Sequence, residues 1–158
     1  MNRIALIDVA LLAATSRLAA GSPRLRKNYN FHASDAEPCN RLLNAIEPGS
    51  YVRPHCHTDA GKDETLLVLR GSVGVLEFDQ AGRVSGSAVL QPAGKAMGIN
   101  VPHGTYHSLV ALAPGTVFFE AKPGPYTALL PRELPDWAPE EGSVDAQRYL
   151  EWMRSHFQ

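Results

Sequence analysis

From residue 41 to residue 125 the chain never runs more than about ten residues without a turn signal. Pro48-Gly49, Gly71, Asp79 to Gly82, Gln91 to Gly94, Pro102-His103-Gly104, Pro114-Gly115 and Pro123-Gly124-Pro125 cut it into short segments. A helix of ordinary length does not fit between such breaks, whereas a strand of about five to eight residues does. The segments 41–47, 51–57, 65–70, 73–78, 84–90, 97–101, 106–112 and 116–121 therefore read as strands. Their even spacing predicts an all-β fold, a small antiparallel β-barrel or jelly roll.

Helical patterns stand only at the two ends. Asp8 is placed to cap a helix over 9–20, and Gly21 to end it. The same stretch loosely mimics a secretory signal through Arg3 and its small residues. Asp8 and Arg17 interrupt that pattern, so the helix is preferred. After a proline-rich exit over 131–139, Ser143 caps a second helix to about residue 156, with Val144, Leu150, Trp152 and Met153 as its expected apolar contacts. The expectation is one domain over 1–158: a helical start (1–21), a barrel (22–125), then the exit and final helix (126–158).

Composition narrows the function classes. Lys plus Arg number 15 and Asp plus Glu number 16, a formal charge of −1. A general nucleic-acid binder carries a basic excess, so none is expected as a partner. No apolar run reaches the roughly 18 to 20 residues of a membrane helix, so no membrane partner is expected either. The two cysteines, Cys39 and Cys56, make no disulfide framework, which suits a reducing, cytoplasmic location.

The chemistry concentrates in GSYVRPHCHTDAGKDETLLVLRG, residues 49–71. His55 and His57, two apart on an extended segment, project from one face, and Cys56 from the other. Glu64 opens the next strand across a loop, with Asp59 and Asp63 nearby. Two imidazoles and a carboxylate converging from neighbouring strands, with open positions left over, suit one divalent transition metal ion: Fe, Mn, Ni or Zn. His107, just after the Pro102-His103-Gly104 turn, is a candidate fourth ligand. His32, His103 and His156 read as ordinary structural or surface histidines.

These residues resemble the two motifs of the cupin superfamily. Gly49, His55-Cys56-His57, Glu64 and Gly71 match the first motif with a lengthened loop, and Pro102, Gly104 and His107 match the core of the second. Gly98 stands closer to Pro102 than the motif has it, and Ala111 replaces its asparagine. The resemblance implies a cupin fold and a metal held by His55, His57, Glu64 and His107. The runs SPRLRKNYNFH, RLLNAIEPGSYVRPHCH, ETLLVLRG and FFEAKPGPY are similar to the WbuC family of cupin-fold metalloproteins. That resemblance implies a link to surface-polysaccharide (O-antigen) gene clusters and supplies no reaction.

Candidate substrate contacts follow from parity. Arg53 shares the parity of His55 and His57, so it is expected inside the barrel, either salt-bridged or holding a substrate anion. Arg24, Arg26, Asn28 and Asn30 fall on one side of the extended 23–32 segment. They form either a solvated edge or a polar wall at the barrel mouth that suits a phosphorylated or carboxylated sugar. Tyr106 and Tyr51 offer a phenol or a packing face. The expected function is a metal-dependent enzyme, isomerase- or lyase-like, on a small polar or anionic substrate such as a sugar or sugar nucleotide. An Fe(II)-dependent dioxygenase and a non-catalytic, metal-stabilised ligand-binding module are the alternatives. A homodimer is the expected assembly.

Overall fold

The computed structural model describes residues 4–158. Of the 1–21 segment, residues 1–3, Arg3 included, lie outside the described residues. Asp8 is extended, and its carboxylate accepts from the Leu11 N–H at 2.9 Å, which starts α1 (Val9–Ala20). The Gly21 N–H bonds back to the carbonyls of Arg17 and Ala19 and closes it.

Eight strands follow: β1 (Arg26–Asn30), β2 (Cys39–Ile46), β3 (Glu64–Arg70), β4 (Val73–Phe78), β5 (Val84–Leu90), β6 (Gly98–Val101), β7 (Tyr106–Ala111) and β8 (Thr116–Pro123). They form two antiparallel sheets, ordered β1-β2-β8-β3-β6 and β5-β4-β7. The chain passes from the first sheet to the second at Gly71, whose φ of +77° and closeness to Thr116 leave no room for a side chain.

The expected strand over 51–57 is not one. Pro54 has no N–H to give to a ladder. The neighbouring backbone is shared between segments: His55 pairs with His107, while the Cys56 N–H goes to the Glu133 carbonyl. Only the isolated His55–His107 bridge remains of a ladder here.

Each sheet keeps a dry outer face by carrying a helix. Leu43, Ala45 and Val117 pack against Leu12 and Ala19 of α1. On the small sheet, Leu76, Phe78 and Val110 pack against Ala146, Leu150 and Met153 of α2 (Val144–Ser155). Residues 146, 150 and 153 form the helical stripe. Val144, in the first turn, lies off that stripe and is 97% exposed, against expectation, while Trp152, at its edge and partly exposed, meets Phe78 of the small sheet as expected. Between the sheets, Ile46, Leu66, Val68, Val73, Val75, Leu90 and Phe118 form the inner core. Among the described residues no helix is long and apolar enough to cross a membrane.

Candidate metal centre

The inner faces of the sheets lose their apolar filling toward one end and leave a cavity of about 590 Å³. Alternation along each strand decides what enters it. From β8 come Phe118, Glu120 and Lys122; from β3, Glu64 and Leu66; from β7, His107 and Leu109; from β2, Asn44 and Ile46.

The histidines are aimed by their own backbones. The His55 and His107 N–H groups each donate to the other's carbonyl, at 3.0 and 2.9 Å, which places the two residues directly opposite. His55 Nδ1 lies 2.9 Å from the Arg53 carbonyl, and His107 Nδ1 lies 2.9 Å from the Thr105 carbonyl. A carbonyl only accepts, so Nδ1 carries a proton in both rings, and Nε2 is the ring nitrogen each leaves to face the site. Burial, with the neighbouring His107, pushes the His55 imidazole down to about 3, so it stays neutral.

Glu64 is the meeting point. It is buried at the start of β3, paired with Val101. His57 Nε2 lies 3.0 Å from its Oε1, and His107 Nε2 lies 3.4 Å from its Oε2. The His57 nitrogen is buried and makes no aligned hydrogen bond among the described residues, although the carboxylate is this near. One donor atom from each of His55, His57 and Glu64 lies within 4.8 Å of the others. Donors on a common cation, at bonds of about 2.0–2.2 Å, sit roughly 3–4 Å apart, so this set fits a divalent metal with small adjustments. His107 touches Glu64 and stands 4.6 Å from the His55 ring centre, but 6.2 Å from that of His57, on the far side of the tight triad.

Lys122, not singled out in the sequence, is part of this site. Its Nζ lies 3.0 Å from Glu64 Oε1 and 2.7 Å from Glu120 Oε1; Glu120 also accepts from Asn44 Nδ2 at 2.7 Å. Burial alone would lower the Lys122 ammonium, but Glu120 and Glu64 outweigh it and hold the group charged. Burial likewise works to raise Glu64, and the imidazoles of His107 and His57 together with Lys122 keep it well below the usual carboxylate range. The signal was available in parity: in TVFFEAKP, Phe118, Glu120 and Lys122 share a face. It needed β8 to run to Pro123 rather than end at Ala121.

The expected substrate contacts divide. Arg24, Arg26 and Asn28 do line the large cavity. However, Arg24 forms a fork with Glu141 at 2.7 and 2.7 Å, and Arg26 joins the same carboxylate at 2.8 Å. Arg26 also donates to the Tyr51 carbonyl and Ser50 Oγ. Both guanidiniums are thus committed to protein groups. Asn30 lines a neighbouring cavity instead, where it accepts from Asn28 Nδ2. Arg53 does not enter the barrel: its Nη2 donates to the Pro135 carbonyl, because 51–57 lacks the strand parity assumed for it. Tyr106 lies on the opposite face of β7 from His107 and packs edge-on to Trp137. His103 is exposed and bonded to Asp63, and His32 is buried against the Arg41 backbone.

The fold is similar to that of KdgF from Halomonas sp. (TM-score 0.51, 18% identity, covering 65% of this chain and 82% of that one). It is also similar to a cupin superfamily protein from Desulfitobacterium hafniense (TM-score 0.51, 14% identity, 68% and 85% coverage) and to a conserved protein of unknown function from Streptococcus pyogenes (TM-score 0.52, 10% identity, 80% and 93% coverage). These likenesses show the fold, a small cupin-like β-barrel. The chain itself belongs to the family described as Domain of unknown function (DUF6016), whose model matches residues 7–90. No curated protein matches it.

Proposed function

We propose that this protein binds one divalent transition metal through His55, His57, Glu64 and His107, and acts as a metal-dependent enzyme on a small polar or anionic substrate held in the adjoining cavity. The observation that carries this reading is the buried His57 Nε2. It makes no aligned hydrogen bond among the described residues, yet it sits within coordination reach of a carboxylate and of a second imidazole whose proton is pinned elsewhere. Leaving a buried polar nitrogen unpaired costs about 1–3 kcal/mol, which a bound cation would recover.

When bound, the metal would supply a Lewis acid that polarises a carbonyl or hydroxyl oxygen. The chain does the rest. The Arg53 and Thr105 carbonyls fix the tautomers of His55 and His107. Lys122 balances part of the charge of Glu64 and Glu120. The apolar walls Leu66, Leu109 and Phe118 restrict water on one side of the cavity. A ligand-sized cavity beside the donors supports a substrate-handling role over a purely structural metal. Kinship to the WbuC family, a sugar or sugar-nucleotide substrate in O-antigen synthesis and a cytoplasmic location belong to the same proposal. So does a homodimer, supported by the exposed Ile4, Leu6 and Val9.

The test is elemental analysis of the protein as purified from its host. About one equivalent of a transition metal is expected in the wild type. His55→Ala and His57→Ala should fall to background while keeping their fold by circular dichroism. Full metal content in either variant would overturn the assignment.

A further inference from the structure

A second, smaller chamber of about 200 Å³ adjoins the candidate metal centre and shares the walls His55 and Lys122 with the large cavity. Asn40, His57, Lys62 and Tyr126 complete its functional lining. Its wall carries two ammonium groups and no carboxylate, unlike the large cavity, which holds Glu64 and Glu120. Lys62 has no carboxylate within ion-pair distance among the described residues; its Nζ donates only to the Pro125 carbonyl. Asn40 faces Lys122 across the β2–β8 pairing and is 2% exposed. Its Oδ1 is buried without a hydrogen-bond partner among the described residues. An orphan acceptor next to a pair of ammonium groups matches a molecule that offers a hydroxyl beside a negative charge.

We infer that this chamber is a subsite for a small hydroxy-carboxylate, with Lys122 and Lys62 holding the carboxylate and Asn40 Oδ1 accepting from the hydroxyl. This rests on the metal reading above and moves the anion-binding role from the Arg24–Arg26 stripe, which Glu141 already occupies, to the lysines. Lys122 engages Glu64 and Glu120 and keeps a third N–H for an incoming anion, while Lys62, without a carboxylate in ion-pair distance among the described residues, supplies the uncompensated charge.

The experiment uses isotope-labelled, zinc-loaded protein, with zinc content measured first, and follows the Asn40 side-chain amide and the Tyr126 and Thr127 backbone amides by NMR. The probes are glycolate, glycolamide, which keeps the shape and loses the charge, and acetate, which loses the hydroxyl. Glycolate is expected to saturate these signals, with glycolamide about tenfold weaker and acetate weaker by a smaller factor. Lys122→Met should shrink the difference between glycolate and glycolamide while still taking up zinc. Equal binding of glycolate and glycolamide by the wild type overturns the subsite, whether or not the variant folds. Undiminished charge discrimination in a zinc-loaded Lys122→Met overturns it too, since the anion then sits on the metal alone. Wild type that takes up no zinc overturns the metal reading instead, and the same three titrations on that protein still decide the subsite.

Discussion

Two sets of ion pairs border the same cavity, and they differ in what they leave over. At the rim, Glu141 spends both carboxylate oxygens on Arg24 and Arg26, and Arg26 spends its remaining donors on Ser50 and Tyr51. At the base, one ammonium stands between two carboxylates, and one of those carboxylates also faces two imidazoles. The rim set carries one positive charge in excess, but its guanidiniums are tied to protein acceptors and it acts as a clasp. The base set has two carboxylates to one ammonium and an imidazole nitrogen that makes no aligned hydrogen bond among the described residues. Neither set is neutral; charged residues become a site where the fold leaves a buried donor or acceptor unengaged, not where they are most numerous.

The largest break should come from Lys122→Met in metal-free protein. Glu64 and Glu120 would stay buried without their cation, and loss of about 3–5 kcal/mol is expected by urea unfolding. Added zinc should restore part of this, because Glu64 regains a counter-charge. Glu64→Gln attacks the same network from the other side. Structural zinc binding of about 10–16 kcal/mol, spread over four donors, assigns each roughly 3–4 kcal/mol, so a loss of metal affinity on the order of 10²- to 10³-fold is expected in a chelator competition.

Acid provides a third test. His55 is neutral in the fold down to about 3, against an ordinary value of 6.5. Between those limits the unfolded chain binds a proton that the folded chain refuses, so stability rises with pH across that window. The urea midpoint should fall between pH 7 and pH 5 in metal-free protein, and His55→Gln should flatten the dependence. The smallest effect belongs to the rim. Glu141→Ala breaks a partly exposed clasp, and a change of about 1 kcal/mol or less is expected, with metal content unchanged. A rim variant that strips the metal would erase the distinction between the two sets.

Turn punctuation made the strands legible: those over 73–78 and 84–90 are found residue for residue, as is α1 over 9–20. The tight His55, His57 and Glu64 grouping was legible because the histidines are two residues apart and Glu64 lies one loop away, a separation short enough to keep the donors together without a ladder. Arg53 failed because parity holds only in a laddered strand, and Pro54 stops the ladder there. Tyr106 failed for the opposite reason: β7 is regular, so the neighbour of an inward His107 must face outward. The fate of Arg24 and Arg26 was invisible because their partner, Glu141, is joined to them only through the finished fold.

That last pairing spans 117 residues of sequence. A chain growing from its N-terminus would complete α1 and both sheets before the carboxylate that ties β1 to the exit segment had been synthesised. The mouth of the cavity is therefore among the last parts of the molecule to be locked, and a nascent or truncated chain ending before residue 141 would carry two unclasped guanidiniums at an otherwise finished pocket.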